Sequence, residues 1–314
     1  MNMNQRVLTA QEIDLLLALG SAASLTEAAE RLGLTQSAVS RAVARVETLL
    51  NTELLFRGKF GCKPTCDLFR LQPKLRRARK ALDALSFTRG PGTTEEPRGK
   101  VRIAGFRSAI SVLLPATIAA LISKYPRVQF SLQTVREVAG GVGSAVLEGR
   151  ADIGVTSLRP PRQLRSVPLG GDYYVAVRCK HTRHRFIPRR ECLVLWKERC
   201  SECVPEILKA NGWSPLETIS VDSDLAAMAM VEQDAGFAIL PNLATEPLPA
   251  GLERLPLLVP FRRDIWLCGR SDAWNTTVGA ILRREIVKDV SARLHAEIKS
   301  GPARDVCPRT ERAQ

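Results

Sequence analysis

The sequence predicts an α + α/β fold: a small helical domain closed by a hairpin, then a long helix, then a larger domain of alternating strands and helices. Three observations carry this. Apolar residues recur at helical spacing through the first 50 positions. A polar stretch rich in glycine and proline, residues 88–99, divides the chain. Beyond it, short apolar runs alternate with helical patterns, as parallel strands with helices packed on them require.

A first helix at residues 11–22 supplies Ile13, Leu16 and Leu17 to a small core. The second opens with Ser24 as N-cap and Glu27 three residues on, a reciprocal capping pair, and buries Ala28, Ala29 and Leu32. Gly33 and Leu34 break it. Thr35 caps the third helix, where Val39, Val43, Val46 and Leu50 form one apolar stripe and Gln36, Ser37, Ser40, Arg41 and Ala44 the opposite face. Small residues on the second helix let the third cross it closely, leaving a polar face free to reach base edges in DNA. An ordinary helical hairpin inside a larger core would show the same pair. The next segment of chain favours the DNA reader: residues 51–65 form a short hairpin turning at Gly58 and Gly61, with Arg57, Lys59 and Lys63 projecting as a wing along a phosphate backbone.

Charge is distributed to match. The chain carries a formal +14 with a pI near 9.8, which suits a polyanionic partner. Residues 1–56 are slightly acidic, whereas 57–90 hold Arg57, Lys59, Lys63, Arg70, Lys74, Arg76, Arg77, Arg79, Lys80 and Arg89 against Asp67 and Asp83. Nonspecific affinity is expected from the wing and the helix behind it, and sequence discrimination from the third helix. In residues 66–87, Leu68, Leu71, Leu75, Leu82 and Leu85 make a narrow seam on a long helix that contains Pro73, and a narrow seam asks for a second helix.

The second domain reads as strand 101–104, helix 108–125, strand 128–134, a helix to Leu147 and strand 153–156. About 210 residues suffice for two lobes around a cleft.

Ser24, Ala28-Ala29, Leu32, the run Thr35 to Arg41, Val46-Glu47, Leu55-Phe56 and Thr65 together resemble the N-terminal winged helix-turn-helix and linker helix of LysR-type transcriptional regulators. Leu114-Pro115, Tyr125-Pro126, the stretch 149–154 and Gly236 to Pro241 resemble landmarks of that family's effector domain, which has the periplasmic-binding-protein fold. The resemblance covers residues 9–298 and is weakest at 178–215. It implies a winged helix-turn-helix at 1–65, a linker and dimerisation helix at 66–89, a two-lobed effector domain at 90–305 and a tail at 306–314. Lobe I would take in about 100–158 and 265–298, lobe II about 165–260, with crossings near 159–165 and 262–264. DNA contacts would come from Thr35, Gln36, Ser37, Ser40, Arg41, Arg57 and Lys59; the wing is about one residue shorter than usual. The implied partners are double-stranded DNA, a small-molecule effector, a second subunit in a homodimer, a homotetramer beyond it, and RNA polymerase, with no cofactor.

By the same analogy the effector lies between the lobes. Arg107, Ser108 and Ser111 open the first helix of lobe I, where backbone donors suit an anionic metabolite. Thr156 and Ser157 at a strand end, and Asp222 and Ser223 at a lobe II helix start, would complete the site. The plainer alternative is that these are helix caps and a surface arginine.

Eight cysteines with a polar N-terminus and no secretory leader fit a reduced, cytoplasmic chain, and no apolar run is long enough to span a membrane. Cys179, His181, His184, Cys192, Cys200 and Cys203 crowd into lobe II. Cys200 and Cys203 with Cys179 and His181 offer a zinc or thiol-switch alternative, although the spacing lacks two firm metal-binding pairs, and no metal is expected. Cys62 and Cys66 read as incidental. Catalytic signals are weak: Gly140-Gly-Val-Gly-Ser144 lacks the Lys-Ser/Thr of a phosphate loop, there is no Gly-x-Ser-x-Gly elbow, and only three histidines are present. An α/β enzyme with a DNA-binding head is the remote alternative, and a solute-binding transport component would have no use for the first 60 residues.

Overall fold

A computed structural model describes residues 7–22, 24–58, 61–85, 97–138, 140–182 and 186–300, which form two compact units divided near residue 95. Most of the linker expected at 88–99, and the whole of the tail expected at 306–314, lie outside the described residues.

In the first unit, helix α1 is Ala10–Leu19, α2 is Leu25–Leu32 and α3 is Gln36–Leu50. The start of α1 is a capping box not expected from the sequence: the Glu12 N–H donates to Thr9 Oγ1 at 3.2 Å while the Thr9 N–H donates to Glu12 Oε2 at 3.0 Å. The helix stops at Leu19, short of the expected residue 22, with Gly20 as its C-cap. Ser24 and Thr35 cap the next two helices, each accepting a backbone N–H three residues on, but the reciprocal arm expected of Glu27 is not part of the cap: its Oε1 lies 2.5 Å from Arg31 Nη2. Gly33, between them, sits at φ 64°, a left-handed conformation that glycine takes without strain. Strands β1 (Leu55–Gly58) and β2 (Gly61–Pro64) pair antiparallel as the wing, and Glu47 Oε1 anchors its entry by accepting the N–H groups of Leu54 and Leu55.

Helix α4 spans Cys66–Leu85 with Pro73 inside it. The leucine seam is not left for another helix along its length. Leu68 and Leu75 are buried in the core with Leu16, Val39, Val43 and Val46, and Leu71 packs against it. The Gln72 Nε2 donates to Leu16 O at 2.6 Å, and Arg79 pairs with Asp14 at 3.2 Å, so α4 is tied to α1 of its own unit. Leu82 is exposed; the side chain of Leu85 lies outside the described residues.

The second unit is built on a nine-stranded sheet. In chain order its elements are β3 (Gly99–Gly105), α5 (Pro115–Lys124), β4 (Val128–Thr134), α6 (Gly141–Leu147), β5 (Ile153–Thr156), β6 (Arg165–Cys179) and β7 (Cys192–Trp196). There follow α7 (Val204–Ala210), β8 (Glu217–Val221), α8 (Asp224–Glu232), β9 (Phe237–Pro241), β10 (Leu252–Leu255), β11 (Arg262–Gly269), α9 (Ser271–Trp274) and α10 (Thr277–Ser300). One half has β3 parallel to β4 and β5, and the other has β7 parallel to β8 and β9. The expected strands are present. The expected helix at 108–125 is interrupted: a wide π-helical turn, Ala109–Leu113, precedes α5, and Pro115 lacks the N–H that would carry one helix through.

The two halves are joined by strand, not by loop. From Arg165 to Tyr173, β6 pairs antiparallel with β11, and from Tyr174 to Arg178 it pairs with β9. The first crossing therefore lies inside β6 near residues 170–174 and not at 159–165, and residues 165–169 run with the first half. At the start of β11, Arg262, Arg263 and Asp264 pair with Tyr173, Asp172 and Gly171 of β6. Leu282, Ile286, Val290 and Leu294 of α10 are buried at a spacing of four on the first half's core, beside Ile103, Ile153 and Leu267. Gly236 admits β9 beside β7, because a Cβ there would meet Cys192 O at 2.1 Å.

Candidate functional site

The first unit presents α3. Its Val39, Val43 and Val46 are fully buried, and removing each from water stabilises the unit by about 1.5–3 kcal/mol. That fixes which face is left outside: Gln36, Ser37 and Arg41 are exposed and Ser40 half-buried. Thr35 is committed to capping, its Oγ1 accepting the Ala38 N–H at 3.2 Å and lying 3.1 Å from Ser37 Oγ. Lys63 projects from the wing, while Lys59 and the side chain of Arg57 lie outside the described residues. Among the basic residues of α4, Arg70 and Arg79 already have carboxylate partners in Asp67 and Asp14. A polar helix face beside a basic hairpin is an arrangement that inserts into a major groove while the hairpin follows phosphates.

The second unit holds a cleft of about 280 Å³ lined from both halves of its sheet. Phe106, Arg107, Ser108, Thr134, Val135 and Arg136 come from the first half, and Trp196, Glu198, Asp222, Ser223, Asp224 and Ala244 from the second, with Arg263 at the junction. Of the residues expected to bind effector, the structure brings Arg107, Ser108, Asp222 and Ser223 to this cleft.

Arg107 is not free. Its Nε lies 2.9 and 2.7 Å from the two oxygens of Asp224, and its Nη2 donates to Ala244 O at 2.5 Å. Arg136, which no spacing in the sequence singles out, makes a second tie: Nη2 donates to Lys197 O and Asp222 O at 3.1 and 3.0 Å, and Nε is 3.6 Å from Glu198. Burial, reinforced by the Glu137 and Asp224 charges, pushes the Glu198 carboxyl above its ordinary range, with Arg136 pulling it back. Ser223 caps α8, its Oγ accepting the Ala226 N–H at 3.1 Å.

Ser111, Thr156 and Ser157 do not line this cleft. The Ser111 Oγ turns back onto Arg107 O at 3.0 Å. Thr156 and Ser157 hold the buried carboxylate of Glu137, which accepts Thr156 Oγ1 at 2.5 Å, the Ser157 N–H at 2.8 Å and the Ser157 hydroxyl. A buried carboxylate needs such donors, and two adjacent hydroxyl residues at a strand end supply them.

The thiols take structural places. Cys200 packs in the cluster of Val194, Trp196 and Met228, and Cys203 against that of Ile207 and Phe237, so their spacing of three serves two cores. Burial pushes both thiols up, the reverse of what a reactive thiolate needs. Cys179 is buried at the end of β6, His181 is exposed and His184 lies outside the described residues. Among the described residues no three His, Cys, Asp or Glu groups are placed to hold a metal ion. Phe186 and Trp213 instead meet Phe237 of β9 in an edge-on aromatic trio with centroids 5.2–5.9 Å apart.

Comparison with known proteins agrees with both units. Residues 10–67 match the bacterial regulatory helix-turn-helix protein, lysR family, and residues 94–287 match the LysR substrate binding domain. The probable HTH-type transcriptional regulator LrrA of Synechococcus elongatus is 29% identical over 266 residues, covering 81% of this chain and 88% of the relative. Full-length structures share the fold: an OxyR variant from Pseudomonas aeruginosa (TM-score 0.67, 16% identity, 91% of this chain and 95% of that one) and ArgP from Mycobacterium tuberculosis (0.65, 20%, 91% and 98%). No helix among the described residues is long and apolar enough to cross a membrane. The chain belongs to the LysR family of transcriptional regulators, with a DNA-binding domain followed by an effector-binding domain.

Proposed function

We propose that the protein reads an interrupted palindrome as a homodimer, with dimers pairing into tetramers, and that a small anionic effector in the 280 Å³ cleft controls it. It acts in the cytoplasm and passes its output to RNA polymerase. The observation that carries the effector reading is the convergence of Arg107, Arg136 and Arg263 on one cleft that Phe106 and Trp196 also line. Arg107 and Arg136 each have a carboxylate partner, so a ligand anion binds by competing with Asp224 or Glu198. Such competition changes how the two halves are tied, and a ligand shifts a conformational equilibrium only by its different affinity for the two arrangements.

The protein supplies its own reporter, because all four tryptophans (196, 213, 266 and 274) belong to the second unit. Titration of the full chain with small carboxylates, phosphates and amino acids, followed by calorimetry and tryptophan emission, finds the effector class. Thr134 is exposed on the cleft wall, so Thr134→Phe fills the cleft without disturbing the core. Ligands that bind the wild type should be excluded by it. Ligands that bind both equally place the effector elsewhere.

A further inference from the structure

The Arg107–Asp224 pair ties the two sides of the cleft together, and its geometry is that of a bound ligand. Arg107 directs Nε at both oxygens of Asp224 and Nη2 at Ala244 O. Asp224 is also the first residue of α8, where its Oδ1 accepts the Leu225 N–H at 2.9 Å and Ser223 satisfies Ala226. The carboxylate therefore occupies the point at which an arginine from one half and a helix N-terminus from the other converge, a place that favours an anion on both counts. Both side chains line the cleft and remain partly open to it, 24% and 13% exposed. On the same lining, Trp196 has a buried indole Nε1 with no hydrogen-bond partner among the described residues.

We propose that Asp224 is the built-in occupant of an anion site, and that the effector is a small carboxylate whose own oxyanion displaces Asp224 from Arg107. This rests on the cleft being the effector site. Exchange of one carboxylate for another never leaves the half-buried guanidinium unpaired, so the arriving ligand avoids the cost of uncovering a buried charge. The displaced Asp224 keeps its place at the head of α8 and turns to solvent. Because the pair it leaves joins the two halves of the sheet, occupancy of the site and release of that tie are one event. Asp224 thereby sets a threshold: it lowers apparent affinity by the cost of its own displacement.

The test uses the full chain with succinate and inorganic phosphate as probes, read by calorimetry and tryptophan emission. Asp224→Asn removes the competing charge and keeps the shape, and should bind succinate about tenfold or more tightly than the wild type, close to 1.4 kcal/mol. Arg107→Gln, alone or with Asp224→Asn, should bind neither probe. Asp224→Ser, which retains a small polar residue at the helix start, repeats the gain if the asparagine variant fails to fold. Unchanged or weaker succinate binding in the folded Asp224 variants overturns the exchange, as does binding retained by Arg107→Gln, and a gain for phosphate alone overturns the carboxylate assignment. If Thr134→Phe excludes succinate from the wild type while the Asp224 variants gain nothing, the cleft reading stands and the exchange fails. If Thr134→Phe excludes nothing, the cleft reading itself fails.

Discussion

Arg263 lies directly opposite Asp172 in the β11–β6 ladder, and the two form an ion pair, Nη2 to Oδ2 at 2.8 Å, with both side chains buried. The pair sits where β6 changes partners from β11 to β9, so it fixes the junction between the two halves of the second unit. Asp172 also accepts the Leu243 N–H at 3.1 Å, and the Arg263 guanidinium stacks 4.7 Å from the Phe106 ring. Burial pushes Asp172 above the ordinary carboxylate range and the guanidinium opposes it.

Breaking this pair from one side strands a buried charge. Arg263→Met should destabilise the second unit by about 3–5 kcal/mol, whereas Arg263→Met with Asp172→Leu should recover most of the loss, because an apolar pair of similar volume replaces both charges. Urea unfolding followed by tryptophan emission reads the second unit alone. Equal losses in the single and double variants would show that the ion pair itself holds the junction.

Glu198 makes stability depend on pH in a defined direction. Its folded carboxyl holds a proton more tightly than the unfolded one, chiefly through burial. That contribution is complete below the ordinary carboxylate pKa and is lost as pH rises through the raised folded value. Glu198→Gln keeps the hydrogen-bonding shape and cannot ionise, so relative to the wild type it should gain stability between mildly acid and neutral pH. Thermal unfolding across that range, at fixed ionic strength, would show parallel curves if Glu198 titrates normally.

Thiol reactivity should follow burial and not the sequence spacing. Cys200 and Cys268 are buried, and burial pushes Cys268 up to about 12, so both should resist alkylation in the native chain while exposed Cys66 reacts first among the described cysteines. Peptide mapping after timed iodoacetamide treatment gives the order. Cys200 or Cys203 reacting ahead of Cys66 would reinstate a thiol switch.

The local features were legible in the sequence because their causes are local. Val39, Val43 and Val46 announce a helix face by period, Ser24 and Thr35 announce caps, and Ile153 to Thr156 reads as a buried strand. The site was legible only in part, because its ties join residues far apart in the chain: 91 positions separate Asp172 from Arg263 and 117 separate Arg107 from Asp224. No spacing rule reaches that far. Thr156 and Ser157 looked like ligand donors since hydroxyls at a strand end suit an anion; the group they hold is the Glu137 side chain, 19 and 20 positions upstream. Leu68 and Leu75 looked like half of a coiled coil because helical period cannot say whether the covering helix belongs to the same domain.

The most direct test of the DNA-reading claim is selection from a random double-stranded DNA pool with the full chain, followed by footprinting titration of Arg41→Ala on the selected sequence. Enrichment of an interrupted palindrome, with Arg41→Ala weakening specific binding by about 1–3 kcal/mol and flattening preference at its base while nonspecific binding persists, is the expected result. No enriched sequence, or an Arg41→Ala variant with unchanged affinity and base preference, would contradict α3 as the reading helix.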